Sequence, residues 1–194
     1  MKAREKILQS IRTAGAPERI RPAIAMPMNQ TGAVLPDRFM ELLRQAGGRC
    51  RLLENRKQYA DFLNLDFPEA RHIVICTADA ITGSPPPEIP SLVNQPPDLV
   101  VLEASIGVAE NGAVWLSDRE LPRRVLPFIA ENVLILLHEN GLVADMHVAY
   151  SVIGRVDYSF GLFLSGPSKT ADIEQSLVIG AQGAKSLTVY LHRN

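Results

Sequence analysis

Hydrophobic and polar positions follow two different periods along this chain. Apolar residues at spacings of three and four predict helices at residues 2–14, 37–46 and 170–179, and two more after residues 55 and 141. Short apolar runs predict strands at residues 49–53, 73–76, 98–103, 132–137, 160–164 and 186–191. This alternation predicts an α/β fold with an open, mixed, mostly parallel sheet and helices on both faces.

The first 35 residues differ in pattern from the rest. Residues 2–14 place Ala3, Ile7, Leu8 and Ile11 on one helical face, opposite Lys and Arg. Four prolines between residues 16 and 36 then disfavour regular structure. We predict an N-terminal helix and a Pro-containing tether over residues 1–35, followed by a single α/β domain over residues 36–194.

Two further segments carry strong local signals. Six prolines between residues 82 and 97 predict a surface loop. Asn111-Gly112 between β-forming residues predicts a hairpin with a two-residue turn, because both residues tolerate a positive φ. Glu110 lies at this turn. Its carboxylate is a candidate nucleophile or general base, although an exposed Glu beside Asn-Gly is also an ordinary feature of a surface turn.

The Gly/Ser loop after the strand at residues 160–164 is the main candidate for ligand binding. If a helix follows this loop, its first amides and its dipole face an anion in front of the loop. The residues predicted to bind this anion, together with the nearby hairpin, are Ser165, Gly166, Ser168, Lys169, Thr170 and Asn111. The alternative is a well-capped turn, in which Ser168 or Thr170 is the N-cap and no ligand binds.

Composition excludes several classes of protein. Twenty basic and 21 acidic residues give a net charge of −1, which provides no electrostatic footprint for nucleic acid or an anionic membrane. Cys50 and Cys76 are too few for a disulfide framework, a CxxC pair or an iron–sulfur cluster. No apolar run is long enough to span a membrane. These features predict a cytoplasmic protein without a metal or a cofactor.

Motifs of known chemistry are absent or incomplete. Pro167 and Ser168 separate the second glycine of the loop from Lys169, so a nucleotide-binding P-loop is excluded. The four histidines have no spacing typical of metal ligands, and no Gly-x-Ser-x-Gly nucleophile elbow occurs.

Two segments together resemble the LUD domain family, also called the lactate utilization protein C family. The first is Ile106-Gly107-Val108-Ala109-Glu110-Asn111-Gly112. The second is Ser165-Gly166-Pro167-Ser168-Lys169-Thr170-Ala171-Asp172-Ile173-Glu174 with the Gly-rich segment 177–183. The resemblance covers residues 36–194, and the N-terminal helix and tether resemble the usual extension of the family.

The resemblance implies a fold like that of ribose-5-phosphate isomerase and the CoA transferases, with an inserted β-hairpin region. It also implies an accessory subunit of a system that oxidises L-lactate to pyruvate, with an iron–sulfur oxidoreductase and an iron–sulfur subunit as partners. Two alternatives remain. Glu110-Asn111-Gly112 resembles the catalytic segment of class I CoA transferases, which implies an acyl or CoA transferase, and a third possibility is a scaffold without a ligand.

Overall fold

Apolar and β-branched runs form strands in the structure. The structure is a computed structural model that describes residues 3–15, 34–77, 88–171, 177–180 and 183–194. In chain order the strands are β1 (Arg49–Leu53), β2 (Ile73–Cys76), β3 (Leu99–Ala104), β4 (Ile106–Val108), β5 (Ala113–Ser117), β6 (Asn132–His138), β7 (Leu142–Val143), β8 (Gly161–Leu164), β9 (Lys169–Ala171), β10 (Leu177–Ile179) and β11 (Ser186–His192). The helices are α1 (Ala3–Thr13), α2 (Leu35–Gln45), α3 (Tyr59–Asp66), α4 (Ile89–Asn94), α5 (Leu126–Ile129) and α6 (Met146–Ile153).

Five parallel strands form the central sheet, in the order β1-β11-β6-β3-β2. Leu99 to Leu102 and Leu134 to Leu137 are fully buried, as expected for inner strands that are covered on both faces. Side chains of α2, α4 and α5 pack on one face of this sheet, and those of α3 pack on the other. The predicted class, α/β with a mostly parallel sheet and helices on both faces, is confirmed.

The antiparallel pairing lies in a second sheet of order β7-β4-β5-β8. The predicted hairpin is present as β4 and β5, but its loop is longer than expected. Val108 pairs with Ala113, so four residues rather than two connect the strands. Gly112 has φ +65°, and a Cβ at this position would lie 2.3 Å from the backbone nitrogen of Leu43. Close packing of the loop against α2 therefore replaces the short turn predicted from Asn111-Gly112.

The helix predicted over residues 170–179 is wrong. β9 and β10 occupy the described parts of this segment and pair antiparallel, with Lys169 opposite Ile179. β8, the strand before them, pairs antiparallel with β5 instead of joining the central sheet. The segments predicted as strands at residues 160–164 and 186–191 therefore lie in different sheets. Thr170, Val178 and Ile179 are β-branched, and their preference for strands prevails over the helical spacing of three apolar residues.

Two other boundaries differ from the prediction. The helix expected from residue 142 begins at Met146, because Leu142 and Val143 form β7 beside β4. Asp145 caps this helix and accepts from the Val148 amide at 2.9 Å. Tyr150 of this helix is 58% exposed.

The Pro-rich segment at residues 82–97 was predicted to be a loop, but residues 89–94 form α4. Leu92 of this helix is buried against the central sheet. The remainder of the segment, up to residue 87, lies outside the described residues.

Helix α1 forms where its periodicity predicts, yet it buries none of its residues. Ile7 is 60% exposed and Ile11 is 63% exposed. The predicted tether over residues 16–33 lies outside the described part of the chain. Within the described residues, no helix has the length and hydrophobicity needed to cross a membrane.

Candidate functional site

The hairpin loop and the Gly/Ser loop, which were predicted to form one site, are in direct contact. The Ser165 hydroxyl donates to the backbone carbonyl of Asn111 at 2.9 Å. The Asn111 side chain is occupied within its own loop, because its Oδ1 accepts from the Ala113 amide at 3.0 Å. The tertiary structure thus brings Ser165 and Asn111 together, and both use polar groups to hold the two loops in place.

Gly166 and Lys169 fix the Gly/Ser loop to the C-terminal end of α2. Gly166 has φ +76°, and a Cβ there would lie 2.3 Å from the carbonyl oxygen of Ala46. Lys169 donates from Nζ to the same oxygen at 2.5 Å. Carbonyls at the end of a helix lack intrahelical partners, so a cation placed there is favourable. The Lys169 ammonium group therefore satisfies a helix end in this structure.

Ser168 of this loop is held by backbone hydrogen bonds within the chain. The Ser168 amide donates to Ala184 at 2.9 Å, and the Ser168 carbonyl accepts from Gly180 at 3.0 Å. Lys169 and Thr170 belong to β9, so no helix dipole stands behind the loop. The described residues that follow the loop, Lys169 to Ala171, thus do not supply the helix N-terminus on which the predicted anion site depended. Among the described residues, no backbone acceptor pairs with the Gly166 amide.

A pocket of about 260 Å³ lies against the Gly/Ser loop; we name it the loop pocket. Its described lining is mostly apolar and comprises Pro127, Phe128, Val133, Phe163, Leu164, Ser165, Gly166, Pro167, Ser168, Gly183, Ala184 and Leu187. Three of the predicted ligand-binding residues, Ser165, Gly166 and Ser168, line it. The described lining includes neither Lys169 nor Asn111. Few polar groups in an otherwise apolar concavity are typical of small-molecule sites.

Several lining residues of the loop pocket from outside the Gly/Ser loop were missed by sequence reasoning. Phe128 comes from α5, and Gly183 and Ala184 come from the segment before β11. Gly183 belongs to the Gly-rich segment 177–183 of the family resemblance, but no local motif marks Phe128 or Ala184. They meet the loop only because β6 and β11 are neighbours in the central sheet.

Glu110 lies outside the described lining of this pocket. It is exposed, and its Oε2 accepts from the Met146 amide at 3.0 Å. Met146 is the first residue of α6, where a negative charge is favoured by the helix dipole. The carboxylate considered as a nucleophile therefore assists the start of a helix in this structure.

The two cysteines are separate and largely inert. Cys50 is on β1 and Cys76 is on β2, which are the two edge strands of the central sheet. Burial raises the pKa of Cys50 to about 12 and that of Cys76 to about 11, so both thiols are protonated at neutral pH. In the described ranges, no three His, Cys, Asp or Glu residues are grouped so that they could hold a metal ion.

Comparison with known proteins bears out the resemblance. Residues 97–192 match the family model of the LUD domain. The chain is 26% identical over 157 residues to lactate utilization protein C of Anoxybacillus flavithermus, and this alignment covers 80% of the chain and 69% of the relative. It is 33% identical to the proteins of the same name from Bacillus pumilus, over 82 residues, and Geobacillus kaustophilus, over 86 residues.

The last two alignments cover 39% and 41% of this chain, and only 34% and 36% of the relatives. Among solved structures, the chain is similar to the crystal structure of a DUF162 family protein from Deinococcus radiodurans. The TM-score is 0.60 at 17% identity, and the match covers 84% of this chain and 99% of that one. At this identity the likeness shows a shared fold.

Proposed function

Taking as premise that residues 97–192 of this chain match the LUD domain family, we propose that it acts in lactate utilization as an accessory subunit and binds a small monocarboxylate in the loop pocket. One observation carries this proposal. The matched region contains every described residue that lines the loop pocket, and it also contains the hairpin that holds the Gly/Ser loop. The assignment to lactate utilization is based on the relatives that are named lactate utilization protein C.

The chemistry of the loop pocket supports a ligand with a single charge and an apolar end. Phe128, Phe163 and Leu164 offer apolar contact, while the Gly166 amide offers a donor that has no backbone acceptor among the described residues. No charged side chain is among the described lining residues, so a multiply charged phosphate is a poor match. L-lactate and pyruvate, each with a methyl group and one carboxylate, fit this chemistry.

The accessory role has separate support. The chain is poorly suited to hold an iron–sulfur cluster, because its two cysteines lie on opposite edges of the sheet. Electron transfer would therefore be carried out by its partners, an iron–sulfur oxidoreductase and an iron–sulfur subunit. The exposed face of α1 that carries Ile7 and Ile11 is suited to dock onto such a partner, because it buries nothing within the described chain.

Calorimetry with L-lactate and pyruvate tests the ligand. Phe128→Ala removes an exposed ring, 46% accessible, from the wall of the loop pocket and should weaken binding about tenfold. Leu65→Ala on α3 is the matched control, since Leu65 is 67% exposed and does not line the loop pocket. Absence of measurable binding to the wild-type protein, or equal affinity in both variants, would remove the loop pocket from the proposal.

Co-purification tests the partners. Ile7→Asp with Ile11→Asp should abolish recovery of the iron–sulfur subunits without changing the thermal melt, because neither side chain is buried. Gln9→Asp with Thr13→Asp adds the same charge to a different face of α1 and should leave recovery intact. If neither double variant changes recovery, α1 is not the docking element. If the Ile7→Asp, Ile11→Asp protein still binds lactate but no longer recovers the partners, ligand binding and partner docking depend on different parts of the chain.

A further inference from the structure

A second pocket, which we name the arginine pocket, lies beside edge strand β1 of the central sheet. Its volume is about 420 Å³. Its described lining comprises Arg44, Gly48, Arg49, Cys50, Arg51, Asp66 and Thr188. It shares no described lining residue with the loop pocket. Residues from α2, β1, α3 and β11 therefore converge on one cationic concavity.

One of the three arginines is fully engaged. Arg51 binds Asp66 through both carboxylate oxygens, with Nη2 to Oδ1 at 2.6 Å and Nε to Oδ2 at 3.0 Å. The Tyr190 hydroxyl also donates to Asp66 Oδ2 at 2.6 Å. The hydrogen bond from Arg51 is the main cause that lowers the pKa of Asp66, so this ion pair persists at neutral pH and its charges cancel.

The other two arginines form no ion pair of this kind. The Arg49 guanidinium lies 5.4 Å from the centre of the Phe67 ring, and its Nη2 is 3.5 Å from the Ser186 hydroxyl. Neither neighbour is an anion. Across the described residues, no carboxylate forms a salt bridge with Arg44 or Arg49. The charge of Arg51 is balanced by Asp66, whereas the positive charges of Arg44 and Arg49 at the same pocket are not balanced by a described carboxylate.

A buried hydroxyl points to a missing acceptor in the same pocket. Thr188 is only 3% exposed, yet its Oγ1 has no hydrogen-bond partner among the described residues. Thr188 lies opposite Arg49 in the pairing of β1 with β11. A buried hydroxyl without a partner is costly, and each such group calls for a physical explanation. A ligand oxygen in the pocket would satisfy it.

Cys50 adds no charge to this pocket. Burial raises the pKa of its thiol to about 12, and the smaller opposing effect comes from nearby Arg44. The titratable and charged groups of the described lining are thus three guanidinium groups, one carboxylate and a neutral thiol. The net charge of the lining is about +2.

We propose that the arginine pocket binds the phosphoryl group of a small phosphate-bearing ligand. Guanidinium groups of Arg44 and Arg49 hold two of the phosphoryl oxygens, and Thr188 Oγ1 donates to a third. Two positive charges match a phosphate dianion, and arginine suits the geometry of phosphate oxygens. This site is independent of the lactate site, so it stands if the loop pocket binds nothing.

Titration calorimetry with inorganic phosphate, at constant ionic strength, tests the charges. Arg44→Gln and Arg49→Gln should each raise the dissociation constant at least tenfold. Arg155→Gln removes an exposed arginine outside the described lining and should leave the dissociation constant unchanged. Unchanged binding in both lining variants, or no phosphate binding by the wild-type protein, would overturn the proposal. So would succinate binding as tightly as phosphate.

Thr188→Val tests the hydroxyl and separates binding from folding. Valine has nearly the same shape and removes an unsatisfied polar group, so the melting temperature without phosphate should stay equal or rise. The dissociation constant for phosphate should still increase several-fold. Wild-type affinity in Thr188→Val would overturn the role of the hydroxyl. Phosphate should also leave the titration with L-lactate unchanged, whereas competition between the two would overturn the assignment of separate pockets.

Discussion

The loop pocket and the arginine pocket contrast in how their polar groups are used. Around the loop pocket, the Ser165 hydroxyl, the Ser168 amide and the Lys169 ammonium group are all bound to backbone atoms of the same chain. Around the arginine pocket, within the described part of the chain, two guanidinium groups have no carboxylate partner and the Thr188 hydroxyl has no hydrogen-bond partner. Polar groups favour a ligand most where the fold leaves them unpaired. In the Gly/Ser motif, which is the more conspicuous in the sequence, three polar groups are paired within the chain, and the Gly166 amide has no backbone acceptor among the described residues.

The largest expected effect concerns the rigidity of the Gly/Ser loop. Gly166→Ala should lower the free energy of unfolding by about 3 kcal/mol, because a non-glycine residue at positive φ is strained and its Cβ meets the Ala46 oxygen at 2.3 Å. Thermal or urea unfolding measures it. Gly154→Ala, at φ −64°, is the control and should cost at most about 0.5 kcal/mol. Equal effects of the two changes would mean that the loop adapts and is not held by α2.

The ion pair between Arg51 and Asp66 in the arginine pocket should contribute to the free energy of unfolding in a pH-dependent way. Asp66→Asn should cost about 2 kcal/mol at pH 7, because the Arg51 pair and the bond from Tyr190 lose their charged acceptor.

The pKa of Asp66 is lower in the folded protein than the usual value of about 3.9 in the unfolded chain. The contribution of Asp66 is therefore fully present above that pH and is lost as the pH falls through the folded pKa. Unfolding of both proteins between pH 6 and pH 2 should show the difference shrinking below about pH 4. If the difference in the free energy of unfolding between the two proteins stays constant with pH, the effect of the substitution does not come from the charge of Asp66.

The smallest effect is expected at Lys169. Lys169→Met should destabilise the protein by only about 0.5 to 1 kcal/mol, through loss of the bond to the Ala46 carbonyl. It should leave L-lactate binding unchanged, since Lys169 is not part of the described lining of the loop pocket. Lys57→Met, at an exposed position on a different surface, is the control for removing a charge. Loss of lactate binding in Lys169→Met would show that the side chain leaves α2 to hold the ligand.

The elements with a strong local pattern were predictable. The runs that became β3 and β6 contain uninterrupted apolar stretches, Leu99 to Leu102 and Val133 to Leu137, and such stretches occur where a parallel strand is covered on both faces. The helix predicted after residue 55 begins with a 3₁₀ turn at Arg56–Gln58, which Asn55 caps by accepting from the Lys57 amide at 2.9 Å. Arg49 and Arg51 stand at alternate positions of β1 and so indicate a charged face, a signal that a search for apolar positions passes over.

Local pattern failed where neighbours in space set the conformation. Residues 169–171 and 177–179 have too few apolar positions to decide between helix and strand, and the pairing of β9 with β10 decides it. The candidate site was predictable only as a list of residues. The two loops were expected to lie together, and Ser165 does contact Asn111. The partners of Lys169 and Ser168 were not expected, because Ala46 and Ala184 are remote in sequence.

The sequence alone determined the α/β class, most of the parallel strands and the resemblance to the LUD domain family, because these depend on periodicity and on contiguous residues. The tertiary structure alone decided which polar groups remain unsatisfied. That property depends on distances between elements far apart in the chain. The carbonyl of Ala46 at the end of α2 accepts from the Lys169 ammonium group of the predicted loop. In contrast, β11 places the Thr188 hydroxyl opposite Arg49, with no acceptor among the described residues. Hydrogen bonds require atoms within about 3 Å, and only the folded chain sets such distances.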